Sequence, residues 1–517
     1  MKGVNLDSRW TVVVLVAVGV LLRLAALDLH SLWLDEATSL QFARHATRGC
    51  LLAEVNNPPL FRMLLHGWIR LGPASSDAWV RLLPALFGGL TCMAFWPLAC
   101  RFLKRRAALM ALVLLVFNPY HLLFSQEVRA YSLLILLGVL ALLLHLITLE
   151  RPGRLGAGLA YCAVLVAGLH THYQFAWVAL VLGVHRLLVL RGRPLRKMVA
   201  LLAPLGAAAL LFGPWLMIFL GRMAPQERGY TTDLLGRVLS LPFLLLLGES
   251  AAVRQYPLPH RDVVFAHLWL VIPFVLAVAP LLYWGVRFLW RQSSAGRLLL
   301  LVGGVPMVAL AVLFPVLPLF TARYLAFLIP LLCVVLAAAV TGGPRRPVRV
   351  ALGVVLVLQL LSLGRYHFDP AFGREDWRAA ARYVTRQQRP RSVIVFDKHY
   401  VQIPFDRYYR GGARRVGLPE GRDARKRLLR RLVAEHNGRV VLVVSHAWNT
   451  GRQSTRMLSR ILCVRDTRIF RRSNGIEVYR FDRCPAPSGN AAPGGVGATF
   501  TAFTDRRGPS TLTRTLE

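Results

Sequence analysis

Two adjacent carboxylates follow the first long apolar stretch of the chain. Asp35 and Glu36 stand in the sequence SLWLDEATSL (31–40), and the next acid is Glu54. Carboxylates beside a membrane span are costly unless they face water, a partner or a substrate. One well-placed carboxylate can take the proton of an attacking hydroxyl group, whereas acids at a helix N-terminus can also serve only to stabilise that helix. Both interpretations are open at this point.

More polar residues of this kind occur in short segments between apolar stretches. They are Asn56, Asn57, Gln126, Glu127, Arg129, Tyr131, His170, His172, Tyr173 and Arg323. Each also has a purely structural explanation. Glu127 and Arg129 can form an ion pair, the two histidines can form hydrogen bonds between spans, and Arg323 can extend to lipid headgroups. Individually these residues are weak signals, so their placement by the fold decides their meaning.

The elements that must position these residues are membrane helices. The chain has 517 residues, of which 55% are hydrophobic, and apolar runs long enough to cross a bilayer recur from Trp10 to about Leu363. This pattern predicts an α-helical polytopic membrane protein with about eleven transmembrane helices. The spans are expected at residues 10–27, 78–100, 107–124, 131–149, 156–172, 173–190, 198–220, 263–286, 298–319, 323–341 and 350–364. The stretch 238–248 is also apolar but too short to span.

Basic loops predict the orientation of the spans. Five loops rich in arginine or lysine fall on one side by alternate-side counting, which places the N-terminus in the cytoplasm. These loops are 101–106, 151–154, 191–197, 287–297 and 344–349. The segments left on the external side are 28–77, 125–130, 221–262 and everything after about Arg365. The formal net charge of +38 then predicts contact with anionic membrane lipids and lipid phosphates, and no nucleic-acid partner.

The chain changes character after the last span, where amphipathic helices alternate with apolar strands. The helices are predicted at 376–388 and 424–438, and the strands at 392–396, 440–446 and 475–481. This pattern is typical of a small α/β domain. The predicted organisation is a transmembrane domain over 1–364 with external loops 28–77 and 221–262, an external α/β domain over 365–484, and a disordered tail over 485–517.

The seven cysteines do not form a framework. Cys463 and Cys484 lie in the C-terminal region and can pair if that region is outside the cytoplasm, which the sequence alone does not establish. The others named here fall in apolar spans and are expected to be small buried hydrophobic residues. They are Cys92, Cys100, Cys162 and Cys333.

The predicted topology collects nearly all of the polar residues near the external interface. A transporter usually places ionisable residues toward the bilayer midplane. A one-sided cluster instead suits a site that receives one substrate from the membrane and another from water. The competing classes are a lipid-linked glycan flippase or other transporter, and a non-catalytic scaffold for envelope assembly.

Seven segments resemble polytopic glycosyltransferases of the C-type fold, specifically relatives of the protein O-mannosyltransferases and of the lipid A aminoarabinose transferase, a glycosyltransferase family 39-like group. The segments are LWLDEATS (32–39), NNPPLFRMLLHGW (56–68), VRLLPALFGGL (80–90), NPYHLLFSQEVRAYSLL (118–134), LHTHYQFAW (169–177), TARYLAFLIP (321–330) and DWRAAARYV (376–384). They occur in the family's order and cover most of residues 10–410. The Asp-Glu pair and the Gln-Glu-x-Arg-x-Tyr element are fairly specific in combination.

The resemblance implies transfer of a sugar, with inversion, from a polyprenyl-phosphate donor to a hydroxyl group of a lipid, glycan or protein acceptor on the external face of a bacterial inner membrane. By the family pattern Asp35 is the base, and Glu36 supports its position or contacts the acceptor. A phosphate leaving group needs positive charge, which arginine supplies through paired hydrogen bonds. The predicted substrate- and phosphate-binding residues are Asn57, Gln126, Glu127, Arg129, Tyr131, His172, Arg323 and Tyr324.

Two features qualify this site. Asp35 and Glu127 come from successive external loops and can converge on a hard divalent cation such as Mg²⁺ or Mn²⁺; some relatives with this architecture use a metal ion and others do not. Many relatives carry His or Lys immediately before the paired prolines, where Asn57 stands here. Since asparagine carries no charge, a phosphate contact at that place lacks its charged partner.

Overall fold

The computed structural model describes residues 9–44, 57–190, 194–222, 234–251, 267–315, 320–369, 374–445, 450–470 and 475–484. Up to residue 369 the described chain is helical. The helices are α1 (Arg9–Leu24), α2 (Leu34–Arg44), α3 (Leu60–Arg70), α4 (Asp77–Phe102), α5 (Arg105–Val116), α6 (Pro119–Ser125), α7 (Tyr131–Glu150), α8 (Leu155–Leu169), α9 (Phe175–Val189), α10 (Leu195–Arg222), α11 (Leu234–Leu247), α12 (Leu268–Gln292), α13 (Ser294–Leu313), α14 (Leu328–Gly342) and α15 (Arg345–Phe368). Short 3₁₀ turns cover Glu249–Ala251 and Ala322–Leu325.

The helices confirm the prediction of a polytopic membrane fold. Within the described residues, six helices are long and apolar enough to cross a membrane, or seven if the bent pair α5 and α6 is counted as one span. The six are α4, α7, α10, α12, α13 and α15. The other predicted spans also coincide with helices, but α1, α8, α9 and α14 have only 15 or 16 residues. Helix α11 has 14 residues, which is too short to cross a bilayer.

The bend between α5 and α6 directs the chain toward the polar segment that follows. The two helix axes differ by 56°. Pro119 occupies the first turn of α6, where its missing N–H costs nothing, and Asn118 caps that turn by accepting from the His121 amide at 2.8 Å. The Asn118 side chain also donates to the Leu245 carbonyl at 2.9 Å, which ties the break to α11. Residues 126–130 are thereby fixed at the end of the bundle.

The C-terminal region is a three-layer α/β domain around a five-stranded sheet. Its elements are α16 (Trp377–Gln387), β1 (Val393–Phe396), α17 (Gln402–Tyr408), β2 (Arg414–Gly417), α18 (Arg422–Glu435), β3 (Val440–Ser445), α19 (Thr450–Ser459), β4 (Cys463–Phe470) and β5 (Ile476–Asp482). The strand order is β2-β1-β3-β5-β4. Strand β1 pairs in parallel with β2 and β3, whereas β5 pairs antiparallel with β3 and β4.

Alternating side chains of the central strands build two separate cores in this domain. Ile394 and Phe396 pack with Trp377 and Phe405 under α16 and α17. On the opposite face, Val393 and Val395 share a core with buried leucines of α18 and α19. We call α16 and α17 the inner layer, and α18 and α19 the outer layer.

Three of the five strands and two of the four helices were predicted. The predicted helices correspond to α16 and α18, and the predicted strands to β1, β3 and β5. Strands β2 and β4 lie at the sheet edges and are rich in exposed arginine, so they lack the apolar runs that identify the others. The predicted tail over 485–517 and Asn56 lie outside the described residues.

Cys463 and Cys484 form a disulfide, with their Cα atoms 5.0 Å apart. The bond joins the first residue of β4 to the segment that follows β5. Four other cysteines were expected to be buried. Cys92 and Cys333 are buried, whereas Cys162 is half-buried and Cys100 is exposed.

A buried carboxylate links the inner layer of the C-terminal domain to the membrane helices. Asp77, the first residue of α4, accepts hydrogen bonds from three side chains of the domain, namely Arg378, Arg407 and Tyr408. A second link involves Ser31, whose hydroxyl donates to the Glu375 carbonyl and accepts from the Trp377 amide at 3.1 Å. These contacts fix the domain directly above the segment that carries Asp35.

Candidate active site

Asp35 lies in the first turn of α2 and faces two arginines. Its Oδ2 atom is 3.6 Å from Arg323 Nη1 and 3.9 Å from Arg129 Nη2. These distances exceed those of good charge-assisted hydrogen bonds, and 29% of the Asp35 side chain is exposed. Asp35 is therefore an accessible carboxylate held between positive charges, with room for a further hydrogen-bond partner.

Glu36 has the opposite environment. Its side chain is 1% exposed, and both carboxylate oxygens bind Arg81, at 2.9 and 2.7 Å. The backbone amide of Val128 donates to Oε1 at 3.0 Å, and that of Trp33 to Oε2 at 3.3 Å. A buried carboxylate with these four partners has no surface for an acceptor, so the geometry favours the first predicted role of Glu36, which is to support the position of Asp35.

Arg81 extends this support to the chain before Asp35. Its guanidinium also donates to the backbone carbonyls of Leu27, His30 and Ser31, at 3.0, 2.6 and 3.2 Å. The Glu36–Arg81 pair therefore ties together α4, the turn after α1, and the segment at Val128. Each of its charged groups is hydrogen-bonded, as a buried ion pair requires.

Glu127 is buried beneath the C-terminal domain. Its Oε2 atom accepts from Arg374 at 3.0 Å, and its Oε1 atom accepts from the Trp33 indole at 3.2 Å. The Arg374 guanidinium in turn lies over the Trp33 ring, 4.7 Å from its centroid. Burial raises the pKa of the Glu127 carboxyl, and the positive charge of Arg374 opposes that shift.

An aromatic cluster borders the two arginines. The His172 ring lies between Tyr131 and Tyr324, with centroid distances of 5.9 and 5.3 Å. The Arg129 guanidinium stands 6.0 Å from the Tyr131 ring centroid and donates to Ser39 Oγ at 3.3 Å. Burial, together with the charge of Arg129, lowers the pKa of His172 to about 3. This imidazole is neutral at physiological pH.

Two clefts meet at Tyr131. Both clefts open to solvent, and their cavity volumes are small, about 20 Å³ for the first and about 70 Å³ for the second. Residues of the first include Ser39, Asn57, Arg62, Arg129 and His172. Residues of the second include Trp33, Tyr120, Glu127, Glu249, Arg323 and Arg374. Each cleft thus contributes one of the two arginines that face Asp35.

The structure places most of the predicted site residues around these clefts but gives Gln126 a different position. Asn57 lies in the first cleft, where its backbone carbonyl accepts from Arg62 at 2.9 Å. The Gln126 amide nitrogen donates to carbonyls at the end of α1, most closely to Ala25 at 2.8 Å. Gln126 is buried, and its side chain caps the C-terminal end of α1. The geometry therefore favours a structural role for Gln126 over the predicted substrate contact.

Several residues of the site were not identified from the sequence. They are Trp33, Arg62, Arg81, Tyr120, Glu249 and Arg374. Trp33, Arg62, Arg81 and Tyr120 do occur in segments that carry the family resemblance, and Arg374 lies two residues before the DWRAAARYV segment. No local pattern distinguishes these arginines from the many others in the chain.

The donor set around Asp35 does not suit a divalent cation. In the described part of the chain no three His, Cys, Asp or Glu side chains are grouped closely enough to hold a metal ion. Glu127 already binds Arg374 and the Trp33 indole, and Asp35 faces two guanidinium groups. Nearby positive charge opposes cation binding, so a metal ion on Asp35 and Glu127 stays a prediction without structural support.

A second polar cluster lies within the bundle, away from the clefts. Arg186 donates to His145 at 3.3 Å and to Thr148, and its guanidinium is 4.1 Å from the Tyr161 ring centroid. His145 also contacts His185 at 3.1 Å. Because these groups are mutually hydrogen-bonded near the ends of α7 and α9, the cluster joins helices and needs no ligand.

The fold is similar to that of two membrane proteins of known structure, ArnT and AglB. No protein-family profile matches the sequence, and no curated protein sequence matches it. Solved structures do. ArnT from Cupriavidus metallidurans in the apo state is 14% identical, with a TM-score of 0.56 over 91% of this chain and 98% of ArnT.

Two ligand-bound structures have the same architecture. ArnT from Cupriavidus metallidurans bound to undecaprenyl phosphate has a TM-score of 0.54 and 14% identity, covering 92% of this chain and 98% of ArnT. The archaeal oligosaccharyltransferase AglB from Archaeoglobus fulgidus, in complex with an inhibitory peptide and a dolichol-phosphate, has a TM-score of 0.52 and 13% identity. That alignment covers 86% of this chain and 70% of AglB. At these identities the likeness establishes the fold.

Proposed function

We propose that this protein is a membrane glycosyltransferase that moves a sugar from a polyprenyl-phosphate donor to an acceptor hydroxyl group, with inversion at the anomeric carbon. The observation that carries the proposal is the position of Asp35, an accessible carboxylate that faces one arginine from each of two adjoining clefts. The C-type fold, and the undecaprenyl phosphate and dolichol-phosphate bound to ArnT and AglB, support a donor of this class.

In this reaction Asp35 acts as the general base. It takes the proton of the acceptor hydroxyl as that oxygen attacks the anomeric carbon, and the bond between the sugar and the donor phosphate breaks. The departing phosphate needs no proton but must keep its negative charge stabilised. Arg129 and Arg323 suit this role because a guanidinium fork binds two phosphate oxygens at once. Tyr131 and Tyr324 are neutral donors beside them.

The remaining residues act through Asp35 or shape the clefts. Glu36 and Arg81 position the start of α2, so they are positioning residues. Trp33, Tyr120 and Phe124 give the second cleft aromatic walls, which can stack on a sugar ring. The described residues around Asp35 do not fit a metal ion, so the side chains named above carry the reaction.

We further propose that the site opens to the external face of a bacterial inner membrane, with the N-terminus in the cytoplasm. The basic loops between spans support this orientation. The Cys463–Cys484 disulfide supports it independently, since disulfides persist in oxidising compartments and are rare in the cytosol. The proposal takes a hexose as the transferred sugar and a hydroxyl group of a lipid, glycan or protein as its acceptor.

Asp35→Asn tests the proposal. The purified protein is given a labelled polyprenyl-phosphate sugar and an envelope lipid and glycan extract, and transfer of label is followed. We expect transfer to fall at least 100-fold, because removal of a general base costs about that factor. Asp28→Asn is the matched control, since Asp28 lies on the same side but is 64% exposed and paired with Arg378. Wild-type transfer by Asp35→Asn would disprove the base assignment.

A further inference from the structure

The C-terminal α/β domain carries a large excess of positive charge. Between Arg374 and Cys484 the sequence has 27 arginines and lysines against 10 aspartates and glutamates, a difference of +17. The basic residues that orient membrane proteins stand in short cytoplasmic loops, so orientation does not explain this excess. A net charge of this size also destabilises a compact domain through self-repulsion. A function that uses the charge would offset that cost.

Part of the charge is concentrated on the outer layer. Seven basic side chains of α18, α19 and the residue after α19 are exposed to solvent. They are Arg422, Lys426, Arg427, Arg430, Arg431, Arg456 and Arg460. Leucines of α18 and α19 share one core beneath them, so the two helices are neighbours on the same face of the sheet.

The charges on α18 form two rows. Arg422, Lys426 and Arg430 follow one another at intervals of four residues, and Arg427 and Arg431 repeat that spacing beside them. At 1.5 Å per residue, successive charges in a row are about 6 Å apart along the helix axis. Within the described residues none of these five forms an ion pair, whereas Arg389, Arg414 and Arg415 of the same domain each pair with an acid. Asp423 and Glu435 continue the second row at the same spacing. Glu435 pairs with Arg414, and in the described part of the chain neither acid forms an ion pair with these five side chains, so the rows keep an excess of positive charge.

The outer layer lies on the face of the sheet opposite to the contacts with the membrane helices. Those contacts come from the inner layer, namely from Arg378 of α16 and from Arg407 and Tyr408 at the end of α17. The inner and outer layers have separate cores on the two faces of the sheet. A partner of the outer layer therefore approaches the domain from the side away from the spans.

We propose that the outer layer, defined by α18 and α19, binds a linear polymer that carries regularly spaced phosphate groups outside the membrane. Six of the seven exposed cations are arginine, whose planar fork matches phosphate geometry better than an ammonium group does. Two parallel rows of charge suit an extended chain. The position away from the spans favours a polymer over the headgroups of the bilayer. This inference requires an external domain but not the transfer reaction.

Binding of inorganic polyphosphate tests the proposal. The full-length protein is placed in nanodiscs of zwitterionic lipid, and the anisotropy of labelled polyphosphate is measured across a range of salt concentrations. Arg427→Gln/Arg431→Gln should weaken binding by roughly 10- to 30-fold. If each lost phosphate contact removes about 0.7 from the slope of log affinity against log salt, the slope should decrease by about 1.4.

The control pair has the same spacing and charge on the inner layer. Arg382→Gln/Arg386→Gln removes two exposed arginines, also four residues apart, from α16. We expect this pair to retain nearly wild-type binding and an unchanged slope. Equal losses in both pairs would overturn the proposal, because net charge alone would then govern binding. It would also be overturned if wild-type protein bound vesicles of anionic lipid but not polyphosphate. Thermal unfolding of each variant verifies that the exposed substitutions leave the fold intact.

Discussion

The Arg374–Glu127 pair provides a sharp test of how the C-terminal domain is joined to the candidate site. Glu127 is 4% exposed and Arg374 is 20% exposed, with 3.0 Å between the paired atoms. Arg374→Gln leaves a carboxylate buried without its cation. Removing one partner of a buried ion pair costs about 3–5 kcal/mol. We expect a loss of stability at the lower end of this range, about 3 kcal/mol, because the Arg374 side chain is partly exposed to water.

This cost depends on pH in a predictable direction. Burial already raises the pKa of Glu127 in the wild-type protein, and the loss of Arg374 should raise it further. A carboxyl group with a raised folded-state pKa destabilises the folded protein at every pH at which the group is ionised. This loss of stability is absent below the unfolded-state pKa and complete above the folded-state pKa. Arg374→Gln should therefore lose more stability at pH 8 than at pH 5.

A double-mutant cycle completes the test. Thermal unfolding of the wild type, Arg374→Gln, Glu127→Gln and the double variant is measured in detergent at both pH values. Glu127→Gln should relieve part of the Arg374→Gln defect, with a coupling of about 0.5–3 kcal/mol. Arg389→Gln is the control, since Arg389 is 54% exposed and its pair with Asp482 should contribute about 0–1 kcal/mol. Equal losses at both pH values, with no relief in the double variant, would refute this account of Glu127.

Three further predictions concern the groups around Asp35. Arg81→Leu should destabilise the protein by about 3–5 kcal/mol in thermal unfolding, because Glu36 would remain buried without its partner. Arg323→Gln, at a side chain 37% exposed, should change the unfolding temperature little while lowering the transfer rate. His172→Gln should leave the shape of the pH–rate profile between pH 5 and 8 unchanged, since burial holds the pKa of His172 at about 3; a profile limb near pH 6.5 that disappears in the variant would contradict the neutral imidazole.

Much of the helical architecture follows from local sequence. Apolar length identifies the spans because a bilayer imposes the same requirement on each one. The bend at Asn118 is different: residues 107–124 read as one continuous span, yet Pro119 starts a new helix there. Strand β4 also escapes detection, because its exposed edge needs few apolar residues.

The candidate site likewise contains residues that the sequence identifies and residues that it does not. Asp35 stands out because a carboxylate is unusual beside a span. The partners of its neighbours do not, because they are distant in the chain: Arg81 is 45 residues from Glu36, and Arg374 is 247 residues from Glu127. Only the packing of helices selects these arginines from the 63 basic residues of the sequence. The ion pairs between residues distant in the chain are thus the part of the site that could not be predicted from one sequence.

The attachment at Asp77 has a consequence for how such proteins can change during evolution. One carboxylate at the start of α4 engages two helices of the C-terminal region, and Ser31 is bonded to both Glu375 and Trp377. A replacement domain would have to reproduce the spacing of Arg378, Arg407 and Tyr408 before it could dock. The two domains of the chain are therefore expected to be inherited together, and the C-terminal domain to resist exchange by recombination even where its surface sequence varies freely.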